Sequence, residues 1–162
     1  MTTGFAADAP RTTRIAIVDR TSLLSQALQV ALQNRPEFEV VWASDSLQES
    51  LRHLESDVPS VLLVDVEIGQ GIFQFLQRIR KSYPGVRVLI LTTNACDAFV
   101  QRALHMEIPG YVLKDERLEM LVAAVQQIAS GKPAYSPRIK KKIRFDGADS
   151  TPIVESRLAK VL

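Results

Sequence analysis

The feature that most constrains this chain is a rhythm of short apolar runs, each followed by an amphipathic stretch, repeated five times. Ile15-Ala16-Ile17-Val18, Val61-Leu62-Leu63-Val64 and Val88-Leu89-Ile90-Leu91 are apolar at consecutive positions. A strand with one face in water alternates, whereas a strand apolar at every position is covered on both faces. Helices must therefore lie on both sides of one sheet. Periodicity places strands at 14–18, 38–43, 60–65, 86–91 and 110–113, and helices at 22–34, 46–56, 72–82, 97–106 and 117–130. The punctuation agrees: Ser22 is placed to cap the first helix, Ser46 with Glu49 has capping-box spacing, and Pro36, Pro59 and Pro84 fall between elements.

Five β-α units with right-handed crossovers give a doubly wound parallel sheet, expected in the flavodoxin-like order 2-1-3-4-5. Its ligand crevice opens at the carboxyl ends of the strands, where the first and third lie side by side. Four polar residues stand at those ends after apolar strands: Asp19, Asp65, Thr92 and Lys114. Two carboxylates with a hydroxyl and an ammonium can hold a divalent cation and an oxygen-rich anion, because Mg²⁺ takes few carboxylates and fills its shell with phosphate and water oxygens. A phosphoryl group on Asp65 fits that description. Such a group forms by attack of the carboxylate on phosphorus, and its transfer needs positive charge on the equatorial oxygens more than an acid or a base.

The segments Arg14-Ile-Ala-Ile-Val-Asp19, Val61-Leu-Leu-Val-Asp65, Val88-Leu-Ile-Leu-Thr92 and Gly110-Tyr-Val-Leu-Lys114 resemble, in order and separation, the signature segments of two-component response-regulator receiver domains. The resemblance covers about residues 14–132. It extends to Gly131 and Tyr135-Ser136-Pro137, similar to receivers that precede a LuxR-type helix-turn-helix. It implies that Asp65 accepts phosphate from a histidine kinase or a small phosphodonor, that Thr92 and Lys114 contact the phosphoryl oxygens, and that Thr92 and Tyr111 form the switch. In that scheme Tyr111 turns inward when the Thr92 hydroxyl is drawn to the phosphate. The helix-4/strand-5/helix-5 face is expected to carry output, with a weak or phosphorylation-sensitive homodimer.

The chain departs from the family at the metal. Most receivers carry two adjacent acidic residues after the first strand, the second a direct metal ligand; here the pair is Asp19-Arg20. A guanidinium stays protonated and donates a planar fork suited to carboxylate, so Arg20 is expected to take the cation's place and pair with Asp65. The alternative has Arg20 in solvent and Mg²⁺ held weakly by Asp19, Asp65 and the Glu67 backbone carbonyl. In either case Mg²⁺ binding is expected to be weak or absent. The loop Val66-Glu-Ile-Gly-Gln-Gly71 is also unusual, with the Glu67 side chain expected to face water. Glu107 and Pro109 stand where small residues are usual.

Composition bounds the rest. At 162 residues and 46% hydrophobic, the chain supports one sizeable core. Twenty Lys and Arg against 18 Asp and Glu are too balanced to steer the whole molecule to nucleic acid. Cys96 is alone, Met1 to Arg14 has no apolar core of a signal peptide, and no apolar run approaches the roughly 18 residues of a membrane span, so a cytoplasmic protein is expected. Residues 1–13 read as a flexible arm, 14–132 as the receiver, and 133–162 as a basic linker followed by the start of a C-terminal helix. The Arg138–Arg144 stretch, five basic residues in seven, is expected to be a solvated linker, with contact to DNA phosphates as the alternative. The remainder is too short for a helix-turn-helix, so DNA is expected to be reached only through an effector domain not present in this chain. No Gly-x-Gly-x-x-Gly or Gly-Lys-Thr/Ser loop is present, which argues against nucleotide binding. Asp65-Val66-Glu67 only loosely matches the Asp-x-Asp of haloacid-dehalogenase-type phosphatases, and an enzyme is not expected. The reading is a receiver domain that regulates transcription; the alternative is a pseudo-receiver that docks or dimerises without phosphorylation.

Overall fold

Residues 11–20, 22–145 and 152–154 are described by a computed structural model, and in it the predicted elements fall almost where periodicity puts them. They are β1 (Thr13–Val18), α1 (Leu23–Gln33), β2 (Phe38–Ser44), α2 (Leu47–Ser56), β3 (Val61–Val64), α3 (Ile72–Ser82), β4 (Arg87–Thr92), α4 (Asp97–His105), β5 (Gly110–Leu113) and α5 (Leu118–Ala129). A single 3-10 turn, Val66–Ile68, follows β3. The strands are parallel, in register Ile15 with Val61, Leu62 with Val88 and Leu89 with Gly110.

Successive residues of each strand feed opposite cores, as unbroken apolar runs require. Ala16, Val18, Leu62 and Ile90 pack with Leu54 of α2, Ile79 of α3 and Val100 of α4 on one face. Ile15, Ile17, Leu63 and Leu89 pack with Leu32 of α1 and Val125 of α5 on the other. Each such aliphatic side chain contributes about 1.5–3 kcal/mol on burial, so the sheet is the rigid part to which the rim is bolted. Ser22 caps α1 through a reciprocal pair with Ser25: its hydroxyl accepts from the Ser25 N–H and its own N–H donates to the Ser25 hydroxyl. At α2 the expected box is only half formed. Ser46 accepts from the Glu49 N–H at 3.2 Å, but the Ser46 N–H and the Glu49 carboxylate both turn to the Ser44 hydroxyl.

The sheet has a sixth strand, so its order is β2-β1-β3-β4-β5-β6, with β6 at Ala134–Tyr135 parallel to Gly110–Tyr111. This departs from the expectation of a basic linker from residue 133, and the residues that follow depart from that of a solvated stretch over 138–144. Ser136 is fully buried; its hydroxyl accepts from the Leu113 N–H at 2.9 Å and its N–H donates to the Tyr111 carbonyl at 3.0 Å. The one-turn helix α6 (Pro137–Lys140) seats Ile139 in the same core as Tyr111 and Leu113. Arg138 pairs with Asp115 and Lys142 with Asp97 at the start of α4, so two of the five basic residues of this stretch are spent on the domain itself. The strand β7 (Ile143–Phe145) pairs antiparallel with β8 (Pro152–Val154), whose backbone lies beside α4. Residues 1–10, most of the expected arm, and 155–162, where a C-terminal helix is expected, lie outside the described residues, as do Thr21 and 146–151. Among the described residues no helix is long and apolar enough to cross a membrane.

Candidate functional site

Four parallel strands end at one rim, and their last or next residues meet there. Thr92 closes β4 and is fully buried; Asp19, Asp65 and Lys114 immediately follow β1, β3 and β5. The backbone sets their heights: the Asp65 N–H donates to the Val18 carbonyl, and the Lys114 N–H to the Thr92 carbonyl, each at 2.9 Å. The predicted convergence of Asp19, Asp65, Thr92 and Lys114 is therefore present.

The Lys114 ammonium bridges the two carboxylates, 2.7 Å from Asp19 Oδ2 and 2.7 Å from Asp65 Oδ2. The three side chains are only 6, 9 and 4% exposed for Lys114, Asp19 and Asp65. Asp65 Oδ1 accepts from the Thr92 hydroxyl at 2.7 Å and from the Glu67 N–H at 2.9 Å, the second bond starting the 3-10 turn. Burial alone would raise the Asp65 carboxyl, but the bonds from Lys114, the Glu67 N–H and Thr92 hold it below the ordinary carboxylate range. Asp19 goes the other way: burial raises it, and Lys114 offsets this only in part. Burial would lower Lys114, yet its two carboxylate bonds keep it above the ordinary lysine range. The result is an ionised, oriented carboxylate on Asp65 beside a fixed cation, the state a carboxylate nucleophile needs.

Arg20 does not pair with Asp65. Both oxygens of Asp65 are engaged by Lys114, Thr92 and the Glu67 N–H, while Arg20 is exposed and, among the described residues, forms no ion pair. The physical reason is shelter: Lys114, directly after β5, is nearly buried and satisfies two carboxylates at once, whereas Arg20, two residues past the end of β1, is exposed. Arg20 instead lines, with Asp65, Lys114, Glu67, Thr93 and Ser22, an open recess of about 310 Å³ above the carboxylates. The Glu67 carboxylate is not simply in water; it accepts from the Thr93 hydroxyl at 2.9 Å.

Tyr111 already lies inward, 1% exposed, with its hydroxyl donating to the Asn94 carbonyl. Burial pushes its phenol far above the usual range, so it remains a donor. Asn94 closes a loop back to the rim, because its N–H donates to the Thr92 hydroxyl at 3.2 Å. Sequence reasoning does not single out Asn94; its part in this loop is played by backbone atoms, which any residue but proline would supply.

The donors fit a magnesium ion poorly. Asp19 and Asp65 are at hand, but one oxygen of each is bonded to Lys114, the Glu67 carboxylate on the same recess accepts from Thr93, and a guanidinium follows Asp19 where receivers supply a ligand. Among the described residues no three His, Cys, Asp or Glu side chains are grouped as a metal site.

Comparison with known proteins agrees with this geometry. The family model described as the response regulator receiver domain matches residues 15–126. The response regulator GacA of Pseudomonas viridiflava is 28% identical over 131 residues, covering 80% of this chain and 61% of that protein. The transcriptional regulatory protein DesR of Bacillus subtilis is 28% identical over 130 residues, covering 80% of this chain and 64% of that protein. The chain thus matches somewhat under two thirds of the length of these relatives. Among solved structures, a two-component response regulator of the LuxR family from Aurantimonas sp. SI85-9A1 superposes with a TM-score of 0.75 at 27% identity, covering 81% of this chain and 94% of that one. With a rim of acidic, hydroxyl and lysine side chains on a doubly wound sheet and a family match over most of its length, this chain belongs to the response regulator receiver domains of two-component signalling.

Proposed function

We propose that Asp65 is the phosphoacceptor of this receiver, supplied by a histidine kinase or a small phosphodonor. The observation that carries the reading is the Asp65 carboxylate, buried yet kept ionised by Lys114, Thr92 and the Glu67 N–H. Lys114 and Thr92 then serve the phosphoryl oxygens. When the Thr92 hydroxyl leaves Asp65 Oδ1 for the phosphoryl group, its bond from the Asn94 N–H is strained, and that strain reaches Tyr111, already inward, through the Asn94 carbonyl. Thr92 and Tyr111 are therefore the switch pair. Mg²⁺ binding through Asp19, Asp65 and the Glu67 backbone carbonyl is weak, for the reasons of donor chemistry given above.

The output is regulation of transcription, as the name of DesR states for that relative, and its place is the cytoplasm, with DNA reached through an effector domain outside these 162 residues. A homodimer, weak or phosphorylation-sensitive, accompanies it. A second reading is supported by the inward Tyr111 and the Lys114 bridge, both in place without phosphate: a pseudo-receiver that docks partners without phosphorylation. Incubation with acetyl phosphate and Mg²⁺ followed by intact-mass measurement separates the two. One added phosphoryl group, lost in Asp65→Ala, supports the phosphoacceptor; no gain with any donor supports the pseudo-receiver.

A further inference from the structure

We infer that Arg20 is the phosphoryl-binding cation of this site, supplying the positive charge for which the family uses a metal ion, so that Asp65 is phosphorylated without a divalent cation. The inference rests on the reading of Asp65 as phosphoacceptor.

The charge count leads to it. Lys114 stands between two carboxylates, one positive charge against two negative. Phosphorylation cancels the Asp65 charge but brings about two negative charges on the phosphoryl oxygens at neutral pH, so the rim gains net negative charge and Lys114 alone does not balance it. A divalent cation would, but the donors fit one poorly. Arg20 borders the recess above Asp65, is exposed, and among the described residues has no carboxylate partner within ion-pair distance. Among the described residues its side chain therefore has no ion-pair partner in the resting site. Its planar fork matches phosphate oxygens in a bidentate way.

With phosphoramidate as donor, a carboxylate oxygen of Asp65 attacks phosphorus, the O–P bond forms and the P–N bond breaks. The nitrogen, already protonated on phosphoramidate at neutral pH, leaves with the bonding pair as ammonia. Arg20 and Lys114 hold the equatorial oxygens throughout and neither changes protonation state. Such a transfer depends on positioning and on charge at those oxygens.

The test uses the full chain and phosphoramidate, in EDTA and in Mg²⁺, with labelling followed by intact mass; calorimetric titration with Mg²⁺ gives a readout independent of labelling. Wild type is expected to label in EDTA within about threefold of its rate in Mg²⁺, while Arg20→Ala in EDTA slows by about 100-fold, the loss typical of removing one transition-state donor. Arg20→Lys recovers part of the rate. Arg20→Asp labels only with Mg²⁺ and binds Mg²⁺ more tightly than wild type. Wild type that labels only with Mg²⁺, or Arg20→Ala that labels in EDTA as fast as wild type, overturns the role of Arg20 and leaves Asp65 standing. Failure of wild type to label in either condition, or labelling that persists in Asp65→Ala, overturns both readings.

Discussion

Replacing Lys114 by methionine keeps most of the stem and removes the one ammonium that holds two buried carboxylates, each 2.7 Å away. Breaking a buried pair from one side costs about 3–5 kcal/mol, because the partner charge is left without compensation. Here two charges are left, but proton uptake by one of them limits the loss, so the lower half of that range is expected. Trp42 is the only tryptophan, is largely buried on β2, and donates from Nε1 to the Asp57 carbonyl at 2.9 Å, so its emission reports unfolding. In urea the midpoint of Lys114→Met should fall by about 1–2 M at neutral pH. The pH dependence fixes the cause. Asp65, with its folded pKa lowered, contributes stability that is present above its unfolded pKa and lost as pH falls through the folded value. Asp19, raised, opposes folding at neutral pH, and that penalty is relieved as pH falls through its folded value. Lys114, raised, contributes stability present below its unfolded pKa and lost as pH rises through the folded one. The gap between wild type and Lys114→Met must therefore shrink both below about pH 4 and above about pH 10. A gap under about 1 kcal/mol at neutral pH, or one unchanged by pH, would refute the bridge as the keystone of the rim.

Three further outcomes follow from the fold. Gly110→Ala should destabilise by about 1–3 kcal/mol in the same urea assay, because an added Cβ would stand 2.3 Å from Leu89 Cδ1 and 3.0 Å from Ile128 Cδ1, both fully buried side chains. Ser136→Ala should cost about 1–3 kcal/mol by leaving the buried Leu113 N–H without its acceptor, whereas no loss would show that β6 and α6 are not part of the folded body. Sedimentation of the full chain with and without acetyl phosphate should show self-association that is weak or increases with the donor; a strict monomer at high concentration in both arms would exclude the homodimer.

The sheet was legible because its strands are apolar at every position and end in polar residues: once Val61–Val64 and Arg14–Val18 are parallel neighbours, Asp65 and Asp19 have nowhere to go but one rim. What escaped was reach. Nothing in the order Asp19-Arg20 tells whether Arg20 or Lys114, 49 residues beyond Asp65, will neutralise it, and the structure chooses Lys114. The two-residue β6 and one-turn α6 were missed for a different reason: periodicity needs longer windows, and Arg138–Arg144 reads as charge although Ile139 and Ile143 are its buried anchors. The signal that was available is Tyr135-Ser136-Pro137, a strand-end aromatic followed by a proline at the first helical position.

The most direct test of the central claim locates the phosphoryl group by chemistry. Borohydride reduces an acyl phosphate to the alcohol, so treating the phosphodonor-incubated protein and mapping its peptides marks the acceptor as homoserine. Conversion of Asp65, with Asp19 untouched, is the result the site geometry predicts; conversion at Asp19 or at another acidic residue would contradict it.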